Sequence, residues 1–319
     1  MSPAISPTVS VLIPSWRRPD ELSVCLAALC QQTVPATQVV VAVRDDDDVT
    51  HAHLEQLERS QSVPGGFQKV TVGKVPLTAS MNAGLAVTTG DLVALTDDDA
   101  EPRADWLERC AATLAAHPDV GGVGGRDWQP HERWDERRVG TVSWFGRVVG
   151  NHHLGAGPAR DVDLLKGVNA CFRGELVRRI GFDLRLRGRG NVTHWELSLC
   201  LGVRRAGWRL VYDPSIAVDH RPAVRHDGDV NARGGFDEGS FIDSVHNETL
   251  ALLEYLRPWQ RVAFLTWAAM IGTGSTPGLA QLVRAVVRGK TAHLPARWHA
   301  TVKGRTDGFQ TFHRGEQAL

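Results

Sequence analysis

One segment constrains the fold of this chain more than any other: a short apolar strand, Leu-Val-Ala-Leu-Thr, runs directly into Asp97, Asp98 and Asp99. Folding alone gives no reason for this arrangement, because like charges at one strand end repel each other and resist desolvation. Divalent cations prefer hard oxygen ligands, and ligands of open parallel sheets bind outside the carboxyl ends of the strands. The segment therefore predicts a metal and phosphate site. A solvated acidic turn before a helix is the alternative.

Strands and helices alternate along the first part of the chain. A β-rich run at 9–13 comes first, and leucines at helical spacing follow it. Further predicted strands lie at 38–43, 69–72 and 91–96, and further helices begin near Thr50, at Ala79 and around Trp106. This alternation predicts an α/β fold with a doubly wound, mostly parallel sheet and helices on both faces.

The pattern changes between Gly121 and Gly157, where glycines, tryptophans and arginines show no sustained period. We expect loops in this stretch. The elements predicted after it are a strand at 162–165, helices at 175–180 and 196–206, strands at 209–212 and 216–218, and a helical region after Asn247. The strand at 216–218 is followed at once by Asp219 and His220.

Composition narrows the class of protein. Of the 319 residues, 42% are hydrophobic and 23% are charged, which is ordinary for a globular protein. Because 36 basic residues balance 36 acidic ones, no overall charge excess argues for a nucleic-acid partner, and we expect none. The five cysteines lack Cys-x-x-Cys spacing and are typical of reduced core residues. We expect a soluble, cytoplasmic protein without signal peptide or membrane span, since no apolar stretch reaches roughly 18 residues.

Four segments together resemble the family 2 glycosyltransferases, which have a GT-A fold. They are Val11–Pro19, Thr78–Gly84, Gly90–Ala100, and Trp195–Pro214 followed by His220, in the family's order. The resemblance implies a GT-A catalytic domain at 1–222, with a nucleotide-sugar-binding half at 1–100 and an acceptor and base half at 101–222. Residues 223–319 then form a mostly helical, basic extension.

The resemblance assigns a metal site to Asp97, Asp99 and His220, with Mn²⁺ or Mg²⁺ as the ion. Asp99 is the expected direct ligand, and Asp97 lies toward the metal or the donor ribose. A cation held there would clamp the diphosphate of a nucleotide-sugar donor and neutralise the charge that grows on the leaving group. For His220, a hydrogen-bonded histidine at a strand end is the alternative.

An inverting transfer requires a carboxylate that removes the proton from the acceptor hydroxyl. The resemblance places Glu196 at this base position. The family usually has a Glu-Asp pair there, whereas this chain has Trp195-Glu196, so the chemistry is kept but the reach of the carboxylate changes. A glutamate stabilised by the helix dipole in a first turn is the alternative.

A nucleotide pocket is also implied by the resemblance. Its expected residues are Pro14, Ser15, Trp16, Arg18, Asp45, Asp46, Asn82, Asp97 and Asp98. Trp16 offers a flat face to the base, although loop tryptophans also pack without binding, and Asp45 or Asp46 accepts hydrogen bonds from the base or ribose. Met81 stands where many relatives carry an arginine, so one donor contact is missing or comes from elsewhere.

We therefore expect a metal-dependent, inverting glycosyltransferase that adds a single sugar to a glycan, lipid-linked or small-molecule acceptor. Single transfer is expected because the Gln-x-x-Arg-Trp motif of processive relatives is incomplete, with Leu294 in the glutamine position. A non-catalytic nucleotide-binding or glycan-binding module is one alternative. A sugar nucleotidyltransferase is another, but such an enzyme would want a glycine-rich loop after the first strand, and Pro14-Ser-Trp-Arg has no glycine.

The C-terminal part of the chain is basic. From Arg257 onward there are nine Lys or Arg and two acids, and the apolar segment after Leu279 is interleaved with Arg284 and Arg288. Peripheral contact with an anionic surface at the inner membrane face is one interpretation, and it suits a lipid-linked acceptor. A packing helix with a solvated basic face and a helical dimer contact are the alternatives.

Overall fold

The computed structural model describes residues 7–61, 63, 65–73, 76–129, 138–224, 235–289 and 293–316. Its strands are β1 (Val9–Ser15), β2 (Gln38–Arg44), β3 (Gln68–Val72), β4 (Leu92–Leu95), β5 (Ala100–Pro102), β6 (Val120–Trp128), β7 (Thr141–Val142), β8 (Val148–Val149), β9 (Arg160–Val162), β10 (Ala170–Arg173) and β11 (Arg209–His220). Its helices are α1 (Pro19–Cys30), α2 (Asp48–Ser60), α3 (Leu77–Ala86), α4 (Trp106–Ala116), α5 (Gly174–Ile180), α6 (Trp195–Arg205), α7 (Glu238–Tyr255), α8 (Pro258–Met270), α9 (Leu279–Val287) and α10 (Leu294–Glu316).

The chain forms two compact units. The first unit contains residues 1–141, 149–182 and 199–224, and the second unit contains residues 142–148, 183–198 and 225–319.

A single large sheet organises the first unit. Its strand order is β3-β2-β1-β4-β10-β6-β11-β5, and β9 pairs with β11. The strands β1 to β4 run parallel to one another, as do β6 and β11. β10 lies antiparallel between β4 and β6, and β5 and β9 are antiparallel to β11. The mostly parallel sheet with flanking helices confirms the predicted α/β class.

Local sequence explains how β1 passes into α1. The apolar residues of β1 are buried, and the strand ends one residue after Pro14. Proline suits the first turn of a helix because its fixed φ is already helical, and α1 begins at Pro19 with Asp20 and Glu21 in its first turn. The leucines predicted to share one helix face, Leu22 among them, are buried in the core.

The glycine-rich stretch after Val120 is where the prediction of loops was wrong. Residues Val120–Trp128 form β6, a buried strand inside the sheet. A Cβ on Gly122 would lie 2.5 Å from the Phe172 ring, and one on Gly125 would lie 1.8 Å from the carbonyl oxygen of Ile216. Close packing against β10 and β11 therefore requires glycine, a residue that strands otherwise avoid. Residues 130–137 of the predicted loop stretch lie outside the described residues.

Two smaller boundaries also differ from the prediction. The strands expected at 209–212 and 216–218 are one strand, β11, whose pairing with β6 shifts register between Asp213 and Ala217. A bulge of this kind bends a strand without ending it. The strand expected at 162–165 occupies Arg160–Val162 instead.

The second unit is mostly helical, as the sequence predicted for the C-terminal region. Its helices α7 and α10 pack against each other, with Phe241, Val245 and Ala300 in a common apolar cluster. A Cβ on Gly304 would lie 2.6 Å from the Cβ of Val245, so glycine permits this close approach of the two helices. Within the described ranges, no helix combines the length and apolar character needed to cross a membrane.

Candidate active site

The three consecutive aspartates lie at the carboxyl end of β4, which runs parallel to β1. Asp97 and Asp99 are half-buried, and Asp98 is buried. The next residue, Ala100, begins β5, and the pairing of β5 with β11 sets Ala100 opposite His220. Sheet topology therefore joins the aspartates to a histidine that is distant in the sequence.

Asp97, Asp99 and His220 form a compact group. Each offers one potential ligand atom, and these atoms lie within 4.8 Å of one another. The distance between His220 Nε2 and Asp99 Oδ1 is 3.4 Å, and Asp99 Oδ2 accepts a hydrogen bond of 2.9 Å from the backbone N–H of Ala223. Burial raises the pKa of Asp99, but His220, the Ala223 N–H and Arg18 together hold it below its usual value.

Asp127, at the end of β6, is a further member of this site. Its Oδ2 lies 3.7 Å from His220 Nδ1, which is an ion-pair distance, and its side chain is 1% exposed. Burial lowers the pKa of His220, but Asp127, Asp99 and Asp97 outweigh that effect and raise it to about 9. Sequence reasoning missed Asp127. The available signal was a carboxylate two residues after the glycine-rich run, and that run was interpreted as a loop rather than a strand.

Asp98 links the aspartates to the loop after β1. Ser15 Oγ donates a hydrogen bond of 2.8 Å to Asp98 Oδ2. Arg18 Nη1 lies 2.9 Å from Asp98 Oδ1 and 3.3 Å from Asp99 Oδ2. Burial raises the pKa of Asp98 to about 7, against the opposing effect of the Arg18 charge. The guanidinium thus offsets part of the repulsion between neighbouring carboxylates, and Ser15 and Arg18 lie next to the candidate metal group.

A second acidic run, residues 45–48, follows β2, and its aspartates make different contacts. Arg44 lies over the Trp16 ring, 4.5 Å from its centre, and forms a two-pronged ion pair with Asp46, with bonds of 2.8 and 2.6 Å. The buried Asp47 caps α2 by accepting a hydrogen bond from the Thr50 N–H, and it also accepts one from the Arg17 N–H. The carboxylate of Asp45 is exposed.

Two other residues of the expected nucleotide pocket have structural contacts. Pro14 lies in β1, half-buried, opposite Ala42 of β2. The side-chain amide of Asn82, on α3, donates to the carbonyl oxygen of Phe182 and accepts from its N–H, both at 2.8 Å. These two bonds tie α3 to the residue that follows α5 and Gly181.

Glu196, the predicted base, is the second residue of α6 and is half-buried. It belongs to the second unit, whereas Asp97, Asp99 and His220 belong to the first. A carboxylate in the first turn of a helix is stabilised by the helix dipole.

The side chains around His220 fit a divalent cation. Two carboxylates and one imidazole suit Mn²⁺ well, because carboxylates favour hard ions and imidazole favours first-row transition metals. A histidine that binds a metal through one ring nitrogen usually donates its other N–H to a carboxylate. His220 Nδ1 and Asp127 Oδ1 are buried without a hydrogen-bond partner, so Asp127 is the carboxylate that would take this role if His220 held an ion.

A profile of the glycosyl transferase family 2 matches residues 10–179, which is more than half of the chain. The chain belongs to glycosyltransferase family 2. The matched segment contains the residues around β1 and the three aspartates, and it ends before Glu196 and His220.

Sequence relatives of this family 2 glycosyltransferase include a glucosyl-dolichyl phosphate glucuronosyltransferase of Haloferax volcanii, 25% identical over 227 residues, which cover 67% of this chain and 68% of that protein. A protein of Sinorhizobium fredii, y4gI, is 27% identical over 274 residues, which cover 77% of this chain but 29% of that protein. The chain therefore spans less than a third of the length of this second relative.

Solved structures similar to this family 2 glycosyltransferase include the mannosyltransferase PcManGT of Pyrobaculum calidifontis with GDP-Man and Mn²⁺, at 17% identity and a TM-score of 0.55, covering 97% of this chain and 88% of that one. GalNAc-T7 with UDP, GalNAc and Mn²⁺ has 14% identity and a TM-score of 0.63, and the match covers 92% of this chain and 59% of that one. S. aureus TarS with UDP-GlcNAc has 14% identity and a TM-score of 0.57, and the match covers 98% of this chain and 92% of that one. These similarities confirm the predicted GT-A fold.

Proposed function

We propose that this chain is a metal-dependent, inverting glycosyltransferase that transfers one sugar from a nucleotide-sugar donor to an acceptor hydroxyl. The observation that carries the proposal is the group formed by Asp97, Asp99 and His220 at the carboxyl end of the parallel strands. Ligands of open α/β sheets bind at this position. The similar structures were solved with Mn²⁺ and with GDP-Man or UDP, which supports the same class of site.

Asp97, Asp99 and His220 hold the divalent cation in this proposal. When bound, the cation polarises the diphosphate oxygens and lowers the energy of the departing negative charge. Asp127 orients the His220 ring through its second nitrogen. Arg18 supplies a permanent positive charge beside Asp98 and Asp99, and its planar fork matches phosphate oxygens.

Glu196 acts as the general base. Its carboxylate takes the proton of the acceptor hydroxyl while the hydroxyl oxygen attacks the anomeric carbon from the side opposite the diphosphate. The bond to the diphosphate breaks with its electron pair leaving on the phosphate oxygen, so the configuration at the anomeric carbon inverts. Ser15, Trp16, Asp45, Asp46 and Asn82, with Pro14, are proposed as residues of the nucleotide pocket.

The donor site is tested by thermal unfolding with UDP, GDP, dTDP and CDP, each with and without Mn²⁺. A ligand at about one hundred times its dissociation constant stabilises a protein by roughly 2.7 kcal/mol, so one nucleotide should raise the melting temperature in a Mn²⁺-dependent manner. The Asp99→Asn variant should lose this response, whereas Asp20→Asn, a change in the first turn of α1, should retain it. The absence of a shift with every nucleotide would contradict the proposed site.

The base is tested by the Glu196→Gln variant. Transfer should fall by about 100-fold or more, as expected for a lost general base, while Mn²⁺-dependent nucleotide binding persists. Glu175→Gln is the matched control, because Glu175 is also a glutamate in the first turn of a helix, α5. If nucleotide binds but neither the wild type nor any variant transfers sugar, the chain is a non-catalytic binding module.

We further propose that the second unit contacts the anionic inner face of the cytoplasmic membrane, where a lipid-linked acceptor would be found. One face of α9 exposes Val283, Val286 and Val287, at 65%, 62% and 79%. The exposed Arg284 and Arg288 lie beside this face, and no acidic residue occurs between 257 and 289. An amphipathic helix with arginines and no acids suits an anionic lipid surface. The dolichyl phosphate acceptor in the name of the Haloferax relative supports the same acceptor class.

Co-sedimentation with vesicles tests this contact. The protein should bind vesicles that contain phosphatidylserine and not vesicles of phosphatidylcholine alone, and Val283→Asp should weaken the binding. Val49→Asp is the matched control, because Val49 is a valine exposed at 61% on α2. Self-association that Val283→Asp abolishes, without vesicle binding, would assign the face to a dimer instead.

A further inference from the structure

The segment that leads into α6 has no regular secondary structure between Arg187 and His194, and Glu196 is the second residue of the helix that follows it. His194, directly before α6, has a φ of 64°. Residues other than glycine rarely adopt this left-handed conformation, which persists only where the surrounding contacts impose it. The residues that hold this segment therefore influence the placement of Glu196.

One side chain of α7, Asn247, holds both ends of this segment. Its Oδ1 accepts a hydrogen bond of 2.8 Å from the N–H of Arg187. Its Nδ2 donates to the carbonyl oxygen of Arg187 at 2.8 Å and to that of Thr193 at 3.0 Å. Asn247 is fully buried, so water cannot replace these bonds.

Asparagine matches this task chemically. An amide group has two N–H donors and a carbonyl acceptor, and here both donors and the acceptor are used on backbone groups of a single loop. The Nδ1 atom of His246 lies 2.9 Å from the same Oδ1. Burial outweighs the Asn247 hydrogen bond and lowers the pKa of His246. A neutral imidazole can then donate its Nδ1–H to the amide oxygen and fix the amide's orientation.

Helix α7 is itself anchored on the side of α10. Arg305 lies 2.6 Å from Glu248 in an ion pair, with exposed side-chain fractions of 13% and 17%, and it donates a hydrogen bond of 2.9 Å to Thr249. The side chain at 247 is thus held between a fixed helix and the loop. Thr249 is equally buried on α7 but contacts α10 rather than the loop.

We propose that Asn247 is a positioning residue for catalysis: by joining Arg187 to Thr193 it fixes the loop before α6 and with it the carboxylate of Glu196. This inference rests on the proposed role of Glu196 as the base. We assign Asn247 no contact with substrate or metal, because its hydrogen bonds to the loop go to the backbone of Arg187 and Thr193.

The Asn247→Ala variant removes all three bonds to the loop. Its kcat should fall by about 10-fold to 100-fold, since a displacement of about 1 Å in a reacting group costs on the order of 100-fold. The KM for the donor and the Mn²⁺-dependent affinity for the nucleotide should change less than about twofold, because the metal and nucleotide residues lie on other elements. Asn247→Asp keeps an oxygen that can accept from Arg187, but it sets its second carboxylate oxygen against the carbonyl oxygens of Arg187 and Thr193. Because this repulsion is buried, Asn247→Asp should lose at least as much activity as Asn247→Ala.

Thr249→Val is the control for a general loss of stability, because it removes a buried polar group from the same helix without touching the loop. Amide hydrogen exchange should rise between Arg187 and Thr193 in the Asn247 variants and stay at the wild-type level in Thr249→Val. If Thr249→Val lowers kcat as much as Asn247→Asp at equal melting temperature, the positioning role is refuted.

A double variant separates this inference from the proposed base. If Asn247 acts through Glu196, then Asn247→Ala should reduce kcat in the wild type but have no further effect in the Glu196→Gln background. An unchanged kcat in Glu196→Gln alone would overturn the base and the positioning role together. A large loss in Glu196→Gln with a wild-type kcat in Asn247→Asp and Asn247→Ala would overturn the positioning role only.

Discussion

Two acidic runs in this protein look alike in the sequence and differ completely in the structure. The run after β2 and the run after β4 both follow a buried parallel strand, and both lie at the same edge of the sheet. Asp97 and Asp99 meet His220, whereas Asp46 pairs with Arg44 and Asp47 caps α2. Consecutive carboxylates become a candidate metal site only where another strand supplies a nitrogen ligand and a cation offsets their repulsion.

The largest effect is expected for Asp99→Asn. This change should abolish Mn²⁺-dependent nucleotide binding and lower transfer by about 1000-fold, on the order of 4 kcal/mol in transition-state energy. Titration calorimetry with Mn²⁺ and a transfer assay measure the two effects. If Asp99→Asn retained Mn²⁺ binding, the run after β4 would no longer differ from the run after β2 as a metal site.

A smaller effect is expected for Asp127→Asn. The residue lies beside His220 but is not in the predicted ligand group, and loss of such a supporting carboxylate typically weakens metal binding by about 10-fold to 100-fold. The dissociation constant for Mn²⁺ should rise accordingly. The Asp119→Asn variant, at an exposed ion pair with Arg209, should bind Mn²⁺ like the wild type; equal constants in both variants would exclude the role of Asp127.

Asp47→Ala should act on stability instead. The change removes the α2 cap and the bond to the Arg17 N–H, and loss of a cap costs about 1–2 kcal/mol. Urea unfolding should report this loss of free energy of unfolding, with Mn²⁺ affinity unchanged. The neighbouring Asp48→Ala is the control, since surface substitutions usually stay within about 0.5 kcal/mol.

The smallest effect is expected for Asp45→Asn. The Asp45 carboxylate is exposed, so stability should stay within about 0.5 kcal/mol. If Asp45 accepts a hydrogen bond from the base or ribose, nucleotide affinity should fall by about threefold to tenfold, the size of one hydrogen bond. Equal affinity of Asp45→Asn and wild type would remove Asp45 from the nucleotide pocket.

The sequence predicted much of the first unit because its signals are local. Apolar runs, helical spacing and Pro19 are sufficient to place β1 and α1, and the same reasoning places the aspartates at a strand end. The prediction was wrong for β6, because the glycines of that strand carry no strand signal of their own. Their presence depends on the Phe172 ring and the Ile216 carbonyl oxygen, which approach from strands far away in the sequence.

The candidate site shows the same difference between what local sequence signals predict and what contacts between distant segments decide. The sequence by itself predicted the residue types of the candidate metal site, carboxylates at one strand end and a histidine at another, because the resemblance to a known family marked those positions. Only the tertiary structure decided that Asp127 lies beside His220 and that Arg18 pairs with both Asp98 and Asp99. It also decided that Asn247 is hydrogen-bonded to the loop before Glu196. These are contacts between distant segments, and sheet pairing and helix packing, rather than any local pattern, bring such segments together.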